Sequence, residues 1–176
     1  MNKLSILLFL FLVSGVQGQV FPELGGELLS NENIILPKDC NGKYTLIGLA
    51  YSQKAEDELR TWYEPSIDKF ILKRGMFDSD YDVNVYFVPM FHGVTSLSYE
   101  NSFKKVKSLT DKRLYGHVIF YKGEIKGYKE SLDLGDKEDP DFFLIDPNGK
   151  IIEHFSGKYK EIYFDKIEAY IDSNPF

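Results

Sequence analysis

The stretch from Tyr44 to Asp57 reads YTLIGLAYSQKAED, and its two halves differ in character. The first half, Tyr44 to Ala50, is continuously apolar, which is typical of a central strand that is covered on both faces. In the second half, Ser52 is a favoured helix N-cap, and the acids after it suit the first turns of a helix. The stretch therefore predicts a buried strand that leads directly into a helix.

The helix continues beyond this stretch, and a second strand follows it. Apolar residues recur at helical spacing and predict a helix over 52–73, which Pro65 should kink or split. The apolar run Val83 to Met90 predicts the next strand. Strand, helix and strand in this order form a βαβ unit, whose crossover is almost always right-handed.

The rest of the chain also divides into short elements. Before and after the βαβ unit, the sequence predicts a hairpin of residues 27–29 and 34–36, a helix at 99–110, and a strand at 116–121 that turns into another at 124–128. An exposed acidic loop is predicted at 130–141. A hairpin of residues 142–146 and 150–155 and a helix at 158–172 are predicted to follow it. Because no repeat or linker divides residues 19–176, we predict one domain there.

The first residues are typical of an export signal. Lys3 precedes the apolar run Leu4 to Val13, and the small and polar residues Ser14 to Gly18 follow. This pattern predicts a signal peptide at 1–18 and a mature terminus at Gln19. The apolar run is short for a membrane span, which needs about 20 residues, although an uncleaved anchor is the alternative. No later stretch is long and apolar enough to enter a membrane.

Charge and composition exclude some classes of partner. The chain has 176 residues and a net charge of −6. Nucleic-acid binding through phosphates needs clustered Lys and Arg, so nucleic acid is not an expected partner. The basic group at 104–113 is interpreted as a solvated helix face.

Cys40 is the sole cysteine, so the chain has no internal disulfide. It lies in the loop before the first core strand, where nothing should lower its pKa. A buried or incidental thiol is the simpler interpretation, and a mixed disulfide with a partner is the functional alternative.

The sequence predicts no metal site and no cofactor. His92, His117 and His154 are far apart and lack the spacing of metal ligands. The acidic loop at 130–141 lacks the alternating acids and the closing Glu of a calcium loop.

Two segments carry a resemblance to a known superfamily. Phe142 to Ile151 reads FFLIDPNGKI and resembles a hairpin of peroxiredoxins and exported TlpA-type thiol reductases. Gly42 to Ile47 reads GKYTLI and resembles their entry to the first core strand. The chain thus looks like an α/β protein of the thioredoxin-like superfamily. The resemblance implies a central mixed β-sheet flanked by helices, with an N-terminal β-hairpin extension and a mid-chain insertion.

A narrower resemblance concerns a cysteine-poor branch. Ser52 to Glu56 and His117 to Tyr121 resemble a branch that contains the mitochondrial ATP-synthase assembly chaperone family, in which the fold serves assembly. On a chain with an export signal, this build implies the bacterial periplasm, the cell envelope or the extracellular space.

The redox cysteines of the superfamily are absent. They would lie at the start of the first helix, within Ser52 to Asp57, and none of these residues is Cys. The resemblance therefore implies a non-redox module that binds a protein or peptide, with no catalytic residue. One alternative is a thiol-dependent oxidoreductase or peroxiredoxin-like protein that uses Cys40, and another is a hydrolase that uses Ser52.

The expected partner surface lies at the start of the first helix. Its candidate residues are Tyr51, Ser52, Gln53, Lys54 and Asp57, beside Pro140. In thioredoxins the proline at the corresponding place is cis and receives peptide substrates. X-Pro bonds adopt cis at low cost, so the sequence allows either isomer of the bond Asp139–Pro140.

Overall fold

One mixed sheet of seven strands organises the computed structural model, which describes residues 18–72, 81–135 and 137–175. The strands are β1 (Leu24–Leu28), β2 (Asn33–Leu36), β3 (Tyr44–Ala50), β4 (Val83–Phe91), β5 (Ile119–Lys122), β6 (Asp141–Ile145) and β7 (Ile151–Ser156). The helices are α1 (Gln53–Leu59), α2 (Tyr63–Ser66), α3 (Tyr99–Leu109), α4 (Lys126–Leu132) and α5 (Glu161–Ser173). The predicted signal peptide covers residues 1–18, and residues 1–17 lie outside the described part of the chain.

The sheet order is β2-β1-β5-β4-β3-β6-β7. β3, β4 and β5 are parallel, whereas β6 and β7 on one side and β1 and β2 on the other are antiparallel to their neighbours. β3 is buried along its whole length, as its continuous apolar sequence predicts. This architecture confirms the predicted α/β class with a central mixed sheet flanked by helices.

Each face of the sheet carries its own core. On one face, α1, α3 and α5 cover a first core that contains Leu46, Trp62 and Phe142. On the other face, α4 and Phe21 pack against side chains of the sheet, including those of β1 and β2, in a second core that contains Ile47 and Cys40. Neighbouring residues of a strand point to opposite faces, so Leu46 and Ile47 enter different cores.

Up to Leu72, the predicted long helix over 52–73 is instead a series of short helical segments, and residue 73 lies outside the described residues. α1 ends at Leu59, a 3₁₀ turn covers Arg60–Trp62, α2 follows, and a π turn covers Ile67–Ile71. Pro65 lies within α2, beyond the first break. Because Pro65 has no N–H to donate to the carbonyl of Thr61, the tightened turn lies where that hydrogen bond is missing.

Two further predictions are wrong. The residues expected to form a strand at 124–128 begin α4, since Ile125 and Leu132 pack into the second core at helical spacing. The acidic loop expected at 130–141 is exposed only in part, because Leu132, Pro140 and Asp141 are buried.

Every helix among the described residues is too short or too polar to cross a lipid bilayer.

Candidate functional site

The start of α1 lies at the carboxyl ends of the parallel strands β3 and β4. Ligands of open α/β sheets bind at this edge, because loops and helix starts leave a crevice there. Ser52 caps the helix: its Oγ accepts a hydrogen bond from the backbone N–H of Ala55 at 3.1 Å. The same hydroxyl donates to the carbonyl of Lys137. Its proton and one lone pair are therefore already engaged, which leaves no base-activated nucleophile.

A loop of the chain itself covers part of this helix start. This docking loop comprises residues 133–135 and 137–140. Tyr51 donates from its hydroxyl to the carbonyl of Gly135 at 2.8 Å. Lys54 Nζ lies 2.6 Å from Glu138 Oε2 in an ion pair. The expected surface residues Tyr51, Ser52 and Lys54 thus lie close together, but their side chains contact the docking loop of the same chain.

A buried carboxylate holds the far end of the docking loop. Asp141 is 1% exposed, and its Oδ2 accepts a hydrogen bond from the N–H of Gly135 at 3.3 Å. Its Oδ1 lies 2.8 Å from Nε2 of His154, whose ring stacks on Phe143 at 4.5 Å between centroids. Both carboxylate oxygens therefore have partners.

Pro140 lies next to this carboxylate and is buried. Its carbonyl accepts a hydrogen bond from the N–H of Gly157 at 2.9 Å. The cis peptide bond in the described part of the chain is Leu36–Pro37, so Asp139–Pro140 is trans. The proline therefore offers no exposed ledge beside α1.

An open groove runs along the other side of α1. It has a volume of about 260 Å³ and lies between α1 and α3. Its lining residues are Tyr51, Ser52, Gln53, Glu56, Arg60, Met90, Phe91, Thr95, Ser98, Ser102, Lys105, Val106 and Leu109. One wall is a stripe of α1 and the turn after it, the other is a stripe of α3, and the end of β4 forms the floor.

Glu56 is the acid of this groove. Burial raises the pKa of its carboxyl group, the nearby Arg60 lowers it, and Asp57 raises it further. Neither Arg60 nor Lys105, the two cations of the lining, makes an ion pair with another described residue. The groove therefore offers two cations against one partly desolvated acid.

Sequence reasoning located half of this arrangement. Of the expected residues, Tyr51, Ser52 and Gln53 line the groove, whereas Lys54 and Asp57 are exposed outside the lining. Glu56 and Arg60 were missed, although they follow Gln53 at spacings of three and seven along one helix face. The α3 wall could not be assigned, since no local pattern states which helices face each other.

Cys40 lies at the opposite end of the sheet. It precedes the first residue of β3, whereas Ser52 follows the last, so the seven-residue strand separates them by roughly 20 Å. The thiol is buried, and burial raises its pKa; Thr45 lowers that pKa by a hydrogen bond, and Asp39 raises it. Nothing in the described residues brings the sulfur to α1.

Among the described residues, no three His, Cys, Asp or Glu side chains cluster as metal ligands would. His92, His117 and His154 make separate contacts, to the carbonyls of Tyr51 and Val85 and to Asp141 respectively.

Comparison with known proteins identifies the fold. No protein-family model matches the chain, and no curated protein matches it. A thiol:disulfide interchange protein from Bacteroides sp. is 20% identical, with a TM-score of 0.54 over 90% of this chain and 91% of that chain. Yeast Sco1 is 16% identical, with a TM-score of 0.57 over 89% of this chain and 97% of that chain.

A third similar structure is the pneumococcal exposed lipoprotein thioredoxin Etrx1 from Streptococcus pneumoniae. It is 17% identical, with a TM-score of 0.54 over 83% of this chain and 97% of that chain. These likenesses agree with the resemblance read from Gly42 to Ile47 and Phe142 to Ile151. The chain therefore has the thioredoxin-like fold.

Proposed function

We propose that the chain is an exported, non-redox thioredoxin-like module that binds a protein or peptide partner. This proposal depends on the groove beside α1, which lies at the carboxyl ends of the parallel strands β3 and β4. The residues at the start of α1 include no cysteine. Cys40, the one cysteine, is buried at the other end of β3.

Exposed apolar side chains beside the groove support a protein partner. Leu109 lines the groove and is 73% exposed. Leu97 lies between the lining residues Thr95 and Ser98 and is 88% exposed. Large apolar side chains that stay in contact with water beside a concave surface are typical of sites of protein interaction.

Export is proposed from the first residues and from the likeness to an exposed lipoprotein. N-terminal sequencing of the protein recovered from an envelope fraction or the medium should begin at Gln19. A protein that keeps Lys3 and the apolar run would instead support the uncleaved anchor.

Redox assays separate the binding module from the thiol enzyme. Insulin reduction and peroxide consumption should stay at background for the wild type and for Cys40→Ser. Turnover by the wild type that Cys40→Ser abolishes would reject the non-redox proposal and support the alternative that uses Cys40.

Affinity capture tests the binding surface. The double change of Gln53 and Asp57 to Ala on α1 should reduce recovery of the partner from the native envelope fraction. The matched control changes Asp165 and Lys166 on the exposed face of α5 to Ala. Equal recovery with both double variants would contradict a surface at the start of α1.

A further inference from the structure

The groove between α1 and α3 has a charge opposite to that of the whole chain. The chain carries a net charge of −6, yet the groove lining holds Arg60 and Lys105 against Glu56 alone. Neither cation is neutralised by an ion pair with another described residue. An anionic group that enters the groove gains attraction from Lys105 without displacing a partner among the described residues, whereas Arg60 already faces the charge of Glu56 and lies 6.0 Å from the ring centre of Tyr63.

Apolar surface lies between these charges. Phe91 at the end of β4 lies at the floor, beside Met90, whose side chain packs into the second core, and Val106 and Leu109 of α3 add further apolar surface. Ser102 adds a hydroxyl group to the α3 wall. The lining thus alternates apolar surface with cationic and hydroxyl groups, which suits a ligand with both apolar and anionic side chains.

The shape of the groove favours an extended segment over a compact small molecule. Its volume of about 260 Å³ is below the roughly 300–1,000 Å³ of pockets that enclose a small ligand. The α3 wall from Ser98 to Leu109 is roughly 16 Å long at about 1.5 Å per residue. An extended chain advances about 3.3 Å per residue, so the wall accommodates roughly five residues.

We propose that this groove binds an extended, acidic segment of a partner protein whose apolar side chains rest on Phe91, Val106 and Leu109 while its carboxylates meet Arg60 and Lys105. The inference rests on the proposed function and adds the chemistry of the partner. It also assigns specificity to residues outside the surface that the sequence predicts.

Labelled peptides test the proposal by fluorescence anisotropy with the full chain. The probe is a hexapeptide of alternating leucine and glutamate, compared with one of leucine and lysine and one of serine and glutamate. The leucine–glutamate peptide should bind, and the other two should bind at least about tenfold more weakly, since each lacks one of the two interactions. Failure of the first peptide to bind, or equal binding of all three, would overturn the proposal.

Matched variants locate the site. Lys105→Ala and Arg60→Gln should each weaken binding about two- to fivefold, the range of one partly exposed charge pair. Lys104→Ala removes a neighbouring exposed charge of α3 outside the groove lining and should leave binding unchanged. Leu109→Ser should weaken binding, and Ile162→Ser, at an exposed apolar position of α5, should not. Equal effects within either pair would overturn the assignment.

A second copy of this chain is the competing occupant. Sedimentation of the wild type and Lys105→Ala should give the same mass, and a dimer that Lys105→Ala dissociates would overturn the proposal. The redox assays above are independent of this result. If the protein shows neither redox turnover nor peptide binding, only the inference of an acidic, extended ligand is rejected. If it shows redox turnover that depends on Cys40, the proposed function is rejected.

Discussion

Ser52 makes two hydrogen bonds through one hydroxyl group, one to the helix that it caps and one to the docking loop. A thiol at this position would be activated by the helix start, because free backbone N–H groups stabilise a thiolate. A hydroxyl keeps its proton there and acts as a cap. Ser52 thus joins the start of α1 to the docking loop.

Replacing Ser52 tests this structural role. Ser52→Ala should lower the free energy of unfolding by about 1–2 kcal/mol, because the N–H of Ala55 loses its acceptor. Ser108→Ala, at an exposed serine of α3, should change it by less than about 0.5 kcal/mol. Guanidinium titrations of both variants make the comparison, and equal losses would argue against the cap.

The ionisation of Glu56 makes the stability of the folded protein depend on pH. Its pKa is raised in the folded state, chiefly by burial, so the folded protein binds its proton more tightly than the unfolded chain does. Stability should therefore fall as pH rises from the ordinary Glu pKa through the raised one. Glu56→Gln removes this loss and should raise Tm at pH 7, with a smaller gain near pH 4. A Tm gain that is the same at both pH values would contradict the raised pKa.

At the scale of elements, the docking loop fixes how much of α1 is accessible. Contacts from Tyr51, Ser52 and Lys54 tie the loop to the helix start, and Asp141 ties it to the sheet. The loop closes one side of α1 and leaves the side that faces α3 open. Both sides are therefore set by contacts between residues far apart in sequence.

Removing the buried carboxylate should release this loop. Asp141→Ala leaves the N–H of Gly135 and the ring of His154 without their acceptor and should cost about 2–3 kcal/mol of unfolding free energy. His154→Ala should cost less, because water reaches that side of the pair. Thermal melts and amide exchange at Gly135 measure both effects. The anchoring role would be contradicted if amide exchange at Gly135 were no faster in either variant than in the wild type.

Regular elements were predictable where one local pattern determined them. β3 and β4 are continuous apolar runs, and the β6–β7 hairpin turns at Gly149, whose φ of +80° suits glycine. α4 was missed because its seven residues lie next to an acidic run, and only Leu132 of this helix is buried. A break at Pro65 was expected, but the structure has a 3₁₀ turn before this residue and a π turn after it.

At the scale of the whole molecule, the two cores share the strands of one sheet. Leu46 and Ile47 are neighbours in β3, yet one packs with Trp62 and the other with Cys40. Loss of the sheet must therefore expose both cores together. With one cysteine and no disulfide, this shared sheet supplies the cooperativity.

The two cores should unfold in one transition. Trp62 is the only tryptophan and reports on the first core by fluorescence, and alkylation of Cys40 reports on the second. The guanidinium midpoints of the two signals should coincide, and a reductant should shift neither. Separate midpoints would show two units and contradict the prediction of one domain over 19–176.

The amino-acid sequence by itself determined the strand and helix types of most elements, the thioredoxin-like resemblance, and the absence of a cysteine pair, since each depends on residue identity or short-range spacing. The tertiary structure alone decided that the docking loop covers α1, that Pro140 is buried and trans, and that α3 faces Glu56 and Arg60 across a groove. Those features join residues distant in the chain, and their positions depend on how the two cores pack against the sheet.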